Sequence, residues 1–206
     1  MKKILILFVL ITNILCGQDT TKTKVKAKEY YLTFADFSPF TIHLKYKKQI
    51  RQKSYFKLGL INLSGSYNEQ GQRNPLTSPM ATTNYSGGLQ IGLEFRKTLS
   101  NKFTLFHGPN VNYTYQKSIY RTLDPTIPTS QQKDIFETHT ASIPYSLGIL
   151  FNLTTNILIS AEINPSINLV TNSSRKGQNS LSNTYSNSLN FSLDNRYGLI
   201  SLVYRL

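Results

Sequence analysis

From Phe40 onward the chain alternates apolar and polar residues over long stretches. In Tyr85 to Lys97 the odd positions are Tyr85, Gly87, Leu89, Ile91, Leu93 and Phe95. The even positions are Ser86, Gly88, Gln90, Gly92, Glu94 and Arg96. Ile157 to Leu169 repeats the pattern, as does Ala141 to Phe151. Phe40, Ile42, Leu44 and Tyr46 alternate with Thr41, His43, Lys45 and Lys47. A period of two marks strands with two unlike faces. The three longest of these runs are 11 to 13 residues long, whereas strands in soluble folds average about 5–6. A tilted strand crossing a membrane needs about 9–11. Glu94, Glu162 and Lys45 sit mid-strand on the polar face. A packed sandwich core would not tolerate them unpaired, but the polar interior of a small barrel can pair them.

The pattern predicts an all-β protein: a single antiparallel transmembrane β-barrel of eight strands. Three hairpins are clear: 40–48 with 53–66, 85–97 with 102–115, and 141–152 with 156–170. Their turns are short, at Gln49–Gln52, Thr98–Asn101 and Leu153–Thr155, while the links 68–84, 117–138 and 172–194 are long. Residues 196–206 supply a seventh strand. An even number is the rule for bacterial barrels. Tyr30–Ala35 and Tyr185–Leu193 are both candidates for the eighth, and Tyr30–Ala35 is chosen because it puts both termini on the short-turn, periplasmic side. Pro109, Pro144 and Pro165 interrupt predicted strands, and bulges or rim positions are expected to absorb their missing donors.

Met1-Lys2-Lys3 followed by the apolar run Ile4 to Leu15 and then Cys16-Gly17 reads as a signal peptide of residues 1–17. The run is too short for a membrane span. A lipoprotein signal acylated at Cys16 is the rival, with Leu15 a poor fit before the cysteine. Residues 18–28 are then a periplasmic tail and 29–206 the barrel.

Composition narrows the class further. Charged residues are 16% and hydrophobic residues 39% of the chain, with a mean hydropathy of −0.27. That is too polar for a helical membrane protein and fits strands with one face in lipid. A single Cys excludes a disulfide framework. No phosphate loop, zinc spacing or metalloprotease motif is present, so no catalytic residue, metal or cofactor is expected. His139 with Ser142, or His107 alone, is the residue set from which a lipid A-modifying enzyme could be built, but a His-x-Ser spacing is absent. His107 falls on the apolar parity of its strand. The formal net charge of +13 would suit an anionic partner. The excess gathers around the short turns, with six cations in residues 45–57, where contact with lipid headgroups or a periplasmic anionic partner is expected. Nucleic acid is not expected, because the chain is exported.

Six charges take the inward parity: Lys45, Lys47, Glu94, Arg96, Glu162 and Arg205. Eight strands leave an interior just wide enough for side chains. The expectation is a lumen filled by ion pairs that set strand register, with a selective pore or proton path as the functional alternative. Tyr46, Phe95, Phe103 and Phe151 at the turn ends, and Tyr67, Tyr85, Tyr113 and Tyr115 at the loop ends, are expected to form aromatic girdles.

Ile143-Pro144 through Leu147-Gly148-Ile149, then Thr155-Asn156 and Ile159-Ser160-Ala161-Glu162, and the ending Tyr197-Gly198-Leu199-Ile200-Ser201-Leu202-Val203-Tyr204-Arg205-Leu206 resemble the small outer-membrane β-barrel proteins of Bacteroidota. The family's C-terminal assembly signal closes on an aromatic residue; here Leu206 takes that place, with Tyr204 two positions earlier. The resemblance implies an outer-membrane location, lipid contact and handling by the barrel assembly machinery. It is silent on activity. The resulting expectation is a non-enzymatic barrel with a structural or loop-mediated role, with a small channel or transporter and a lipid A-modifying enzyme as alternatives.

Overall fold

The computed structural model describes residues 27–37, 40–70, 79–123, 126, 128, 132–176 and 183–206. The expected signal segment 1–17 and most of the tail lie outside these. Eight antiparallel strands follow one another round a closed barrel: β1 (Lys28–Phe37), β2 (Phe40–Arg51), β3 (Ser54–Gln70), β4 (Met80–Thr98), β5 (Phe103–Thr122), β6 (Lys133–Asn152), β7 (Ile157–Arg175) and β8 (Asn183–Arg205). The ring closes where β1 pairs with β8, from Glu29 opposite Arg205 to Phe34 opposite Ile200. Tyr30–Ala35 is therefore part of the first strand. Tyr185–Leu193 is also strand, but it is the loop-end half of β8 and adds nothing to the count.

The wall has an inverted core. Along β7 the outward Ile157, Ile159, Ile163, Ile167 and Leu169 are exposed, while the inward Leu158, Ser160, Glu162, Asn164, Ser166 and Asn168 are buried. Among the described residues, nineteen polar or charged side chains are buried against ten apolar ones, Pro144 included. A water-soluble sandwich would show the reverse.

The strands run well past the apolar band. Lys117–Thr122 and Lys133–Thr138, expected to lie in a link, are paired strand. Rows across β5–β8 show why the alternation fades there. Tyr113, Ala141, Leu169 and Leu189 are paired in one row, and Tyr115, His139, Thr171 and Asn187 in the next. The third row is Lys117, Glu137, Ser173 and Tyr185. The outward face thus passes from apolar to aromatic to charged within five residues of each strand.

β1 and β2 are shorter than their neighbours. β3 from Ser64 to Gln70 pairs with β4, and β8 from Asn183 to Asp194 pairs with β7, above the reach of the β1–β2 hairpin. One irregularity has a clear cause. Register shifts on both sides of β3 near Asn62, whose φ is 53°. This is the left-handed region, which Asn tolerates better than most residues, and the bulge swaps the parity of β3 above it.

The prolines behave differently from expectation at two of three places. Register is unchanged either side of Pro109, from Gly92 opposite Asn110 to Phe95 opposite His107. It is likewise unchanged around Pro144, from Tyr113 opposite Ala141 to Pro109 opposite Tyr145 and from Pro144 opposite Ser166 to Leu147 opposite Ile163. The pairing lapses briefly at these two prolines instead of bulging; the ring lacks the N–H that a ladder position would donate. Only Pro165 adjoins a register shift, between Glu162 and Asn164.

Candidate functional site

The chemistry-bearing residues collect inside the turn-end half of the barrel. Strand parity sends them there: Glu29 and Tyr31 from β1, Lys45 and Lys47 from β2, Tyr55 and Lys57 from β3, Glu94 and Arg96 from β4, Glu162 from β7 and Arg205 from β8. Two linked networks result. In the first, Arg96 donates Nε to Glu94 Oε1 at 2.7 Å and its terminal nitrogens to the two oxygens of Glu29 at 2.8 and 2.6 Å. Arg205 Nε reaches Glu29 at 2.8 Å, and the Tyr31 hydroxyl donates to Glu29 at 2.9 Å. Lys47 Nζ donates to Glu94 Oε2 at 2.6 Å and lies 3.8 Å from the Tyr31 ring centroid. The Arg96 guanidinium sits 3.6 Å from the Tyr55 ring centroid. Such stacking adds cation–π attraction to the ion pairs.

In the second network Lys45 Nζ donates to Glu162 at 3.2 Å. The Ser146 hydroxyl lies 2.9 Å from the same carboxylate and accepts from Asn110 Nδ2 at 2.7 Å and Lys57 Nζ at 3.3 Å. Lys57 bridges the two networks, with Glu94 Oε2 at 3.9 Å. Glu29, Lys47 and Glu94 are 0% exposed. Charges this deep persist only where they are paired and hydrogen-bonded. An apolar cluster of Tyr31, Phe106, Leu150, Leu158 and Val203 packs against the charges. Together they pack the lumen at this level, where Leu150, Leu158 and Val203 are 0% exposed like the three charges.

Lys45, Lys47, Glu94, Arg96, Glu162 and Arg205 lie on the lumen side of their strands, and each forms an ion pair with another of them or with Glu29. Glu29 and Lys57 join them without having been expected there. Glu29 falls at the border of the expected tail, and Lys57 belongs in sequence with the turn cations. Parity reveals both: Glu29 alternates with the outward Tyr30, and Lys57 lies between outward Phe56 and Leu58. The basic cluster of 45–57 is accordingly split. Lys45, Lys47 and Lys57 are buried in the lumen, while Lys48, Arg51 and Lys53 are exposed at the turn end. Five cations and three carboxylates line the described lumen.

Above the networks, His43 Nε2 and Asn112 Oδ1 are buried without a hydrogen-bond partner and border a cavity of about 30 Å³. That is room for about one water with polar partners. At the loop end, Lys117 Nζ and the Tyr115 hydroxyl donate to Glu137 Oε1 at 2.9 and 2.8 Å. These bonds hold the Glu137 carboxyl below the usual carboxylate range.

Among the described residues, neither His139 nor His107 hydrogen-bonds to a serine. His139 faces outward, its Nδ1 2.7 Å from the Tyr113 hydroxyl, whereas Ser142 is buried on the opposite face of β6. His107, on the apolar parity, has its Nδ1 2.7 Å from the Tyr145 hydroxyl and stands beside the ring of Phe95. A hydroxyl on the next strand therefore satisfies an imidazole that otherwise faces outward among apolar side chains. Phe103 with Phe151, and Tyr30 with Tyr46, pair as rings at the turn end.

No family model matches the sequence, and no curated sequence does either. Solved structures do share its shape. A major outer membrane protein from Thermus thermophilus aligns over 89% of this chain and 100% of its own, at a TM-score of 0.57 and 8% identity. Ail, the attachment invasion locus protein of Yersinia pestis, in complex with the heparin analogue sucrose octasulfate, aligns over 88% of this chain and 97% of its own, at a TM-score of 0.45 and 11% identity. At such identities the first likeness concerns the fold alone: a closed antiparallel barrel of eight strands, of the kind found in the outer membrane.

Proposed function

We propose that this chain is an integral outer-membrane barrel whose lumen is sealed, and that it acts through its surfaces, structurally or by loop-mediated contact, and not by conduction or catalysis. The observation that carries this reading is the inverted wall: apolar residues outside, and a closed ion-pair network inside. On β7 the outward apolar stretch runs from Ile157 to Leu169. At ~3.3 Å per residue and a tilt of about 40°, it stands roughly 30 Å tall, close to the hydrocarbon thickness of a bilayer. Ring pairs mark its turn-end margin, and Tyr113, Tyr115 and His139 mark its loop-end margin. No helix among the described residues is long and apolar enough to cross a membrane. The expected signal peptide and the resemblance to small Bacteroidota barrels support the same reading.

The short turns face the periplasm in this reading, and the long links face outside. Cys16, the sole cysteine, lies in the expected signal, so introduced cysteines report cleanly. Lys176→Cys at the loop end should react with a membrane-impermeant maleimide on whole cells, and Thr155→Cys at a short turn only after lysis. The reverse pattern would invert the orientation. Equal reaction of both in intact cells would remove the membrane barrel altogether.

A further inference from the structure

The outward face of β1–β3 carries a feature that the ion pairs leave unexplained. Register sets Lys28 directly opposite Lys48, and Lys48 opposite Phe56. Both lysines are exposed. Like charges directly opposite one another on an antiparallel pair repel. The side-chain carboxylates at this end, Glu29 and Glu94, face the lumen and are occupied by Arg96, Lys47 and Arg205, while the Leu206 main-chain oxygen accepts from the Lys28 N–H at 3.2 Å. Among the described residues neither lysine forms an ion pair. One step toward the band centre, Tyr30 and Tyr46 stand side by side with ring centroids 5.4 Å apart. Beyond them an apolar groove of about 400 Å³ opens on the outward face, lined by Tyr30, Leu44, Tyr46, Leu58, Leu60 and Leu89.

Reading up from the turns, the order is a bare cation pair, an aromatic step and an apolar trough. An amphiphile has the complementary order: an anionic headgroup, a polar ester region and a hydrocarbon chain. We propose that this face binds an anionic glycerophospholipid of the leaflet nearest the short turns, with its phosphate between Lys28 and Lys48 and an acyl chain in the groove. The lipid supplies the counter-charge that the sheet withholds, and the groove supplies contact that a headgroup alone cannot use. The inference rests on the membrane placement proposed above, but not on the sealed lumen.

The test is lipid retention by the full barrel, measured by native mass spectrometry from mixed micelles of phosphatidylglycerol and phosphatidylcholine with matched chains. The native barrel should favour phosphatidylglycerol roughly thirtyfold, since two lysines near an anionic surface contribute on the order of 1 kcal/mol each. Lys28→Gln with Lys48→Gln should abolish the preference. Lys97→Gln with Lys102→Gln removes equal charge from the same end, away from the groove, and should keep it. Leu60→Trp, which fills the groove, should lower retention with both lysines present, and glycerol phosphate should fail to displace the lipid. Equal retention of the two lipids by the native barrel would overturn the site, as would equal losses in the two lysine pairs. Retention unchanged in Leu60→Trp, or displacement by glycerol phosphate, would reduce it to a headgroup contact and overturn the groove. The outer-membrane fraction of the native barrel and of each variant is checked as well, so that equal retention of the two lipids by a native barrel that still localises to the outer membrane counts against this inference alone.

Discussion

Glu94→Ala should be the most damaging single substitution in the lumen. It removes the one carboxylate held by both Lys47, at 2.6 Å, and Arg96, at 2.7 Å, with Lys57 at 3.9 Å. Two of these cations are then left without a direct carboxylate partner. Arg96 keeps Glu29, but Lys47 is 0% exposed and has no other acid within ion-pair range among the described residues. Stranding a buried charge costs roughly 3–5 kcal/mol. The measurement is the temperature at which the folded, fast-migrating form converts to the unfolded band in a gel series. That midpoint should fall steeply in Glu94→Ala. Lys47→Met should fall less, because Glu94 retains Arg96 and the replacement fills similar volume. An unchanged midpoint in Glu94→Ala would mean that the network contributes nothing to the fold.

Gly108→Ala should come close behind, for a steric reason. A Cβ at Gly108 would run into the Leu93 carbonyl oxygen and approach Glu94 Cα at 3.0 Å. Both atoms are backbone, so no side chain can swing aside. The position lies beside the interrupted pairing at Pro109, where β4 and β5 approach without a full ladder. Adding a methyl forces those strands apart and disturbs the placement of Glu94. Overpacking of this kind costs on the order of 3 kcal/mol at its upper end. Gly65→Ala is the matched control: the nearest atom to its added Cβ is the Asn84 oxygen at 4.0 Å. Unfolding in urea from detergent micelles should separate the two, with Gly108→Ala lowered and Gly65→Ala close to native. Equal midpoints would show that the wall has slack at Pro109.

How far the sequence speaks varies along each strand. Within the apolar band, parity alone gives the inward face, because lipid outside and charges inside impose opposite demands on neighbouring residues. Lys45, Lys47, Glu94, Arg96 and Glu162 are recognisable for that reason. Outside the band both faces meet polar surroundings, and the alternation fades. Hence Lys117–Thr122 and Lys133–Thr138 look like a link although they pair in register. The loop-end half of β8 is a different case. Tyr185, Leu189 and Phe191 do alternate, but nothing local tells a separate strand from the continuation of one across the irregular pairing near Asn164. Glu29 is obscured by its place at the end of a charged tail. The bulge at Asn62 reverses parity, which a count of alternating residues cannot foresee. Partner choice is also beyond reach. Parity brings Arg96 inward, but only closure of β1 onto β8 brings Glu29 between Arg96 and Arg205.

The turn end also looks different once side chains are placed. A basic cluster in sequence becomes two populations: cations consumed by buried carboxylates, and cations left facing outward. The second population, and Lys28 with Lys48 in particular, is the part available to an anionic neighbour.

The sealed lumen is tested most directly by planar-bilayer recording of the purified native barrel at both polarities, with insertion verified by protease protection in liposomes from the same preparation. Ion pairs and the Tyr31–Phe106–Leu150–Leu158–Val203 cluster fill the turn-end half, so the expected record is flat, without unitary steps above the bare-membrane leak. Steady, reproducible openings of one size would contradict the sealed barrel and make it a channel.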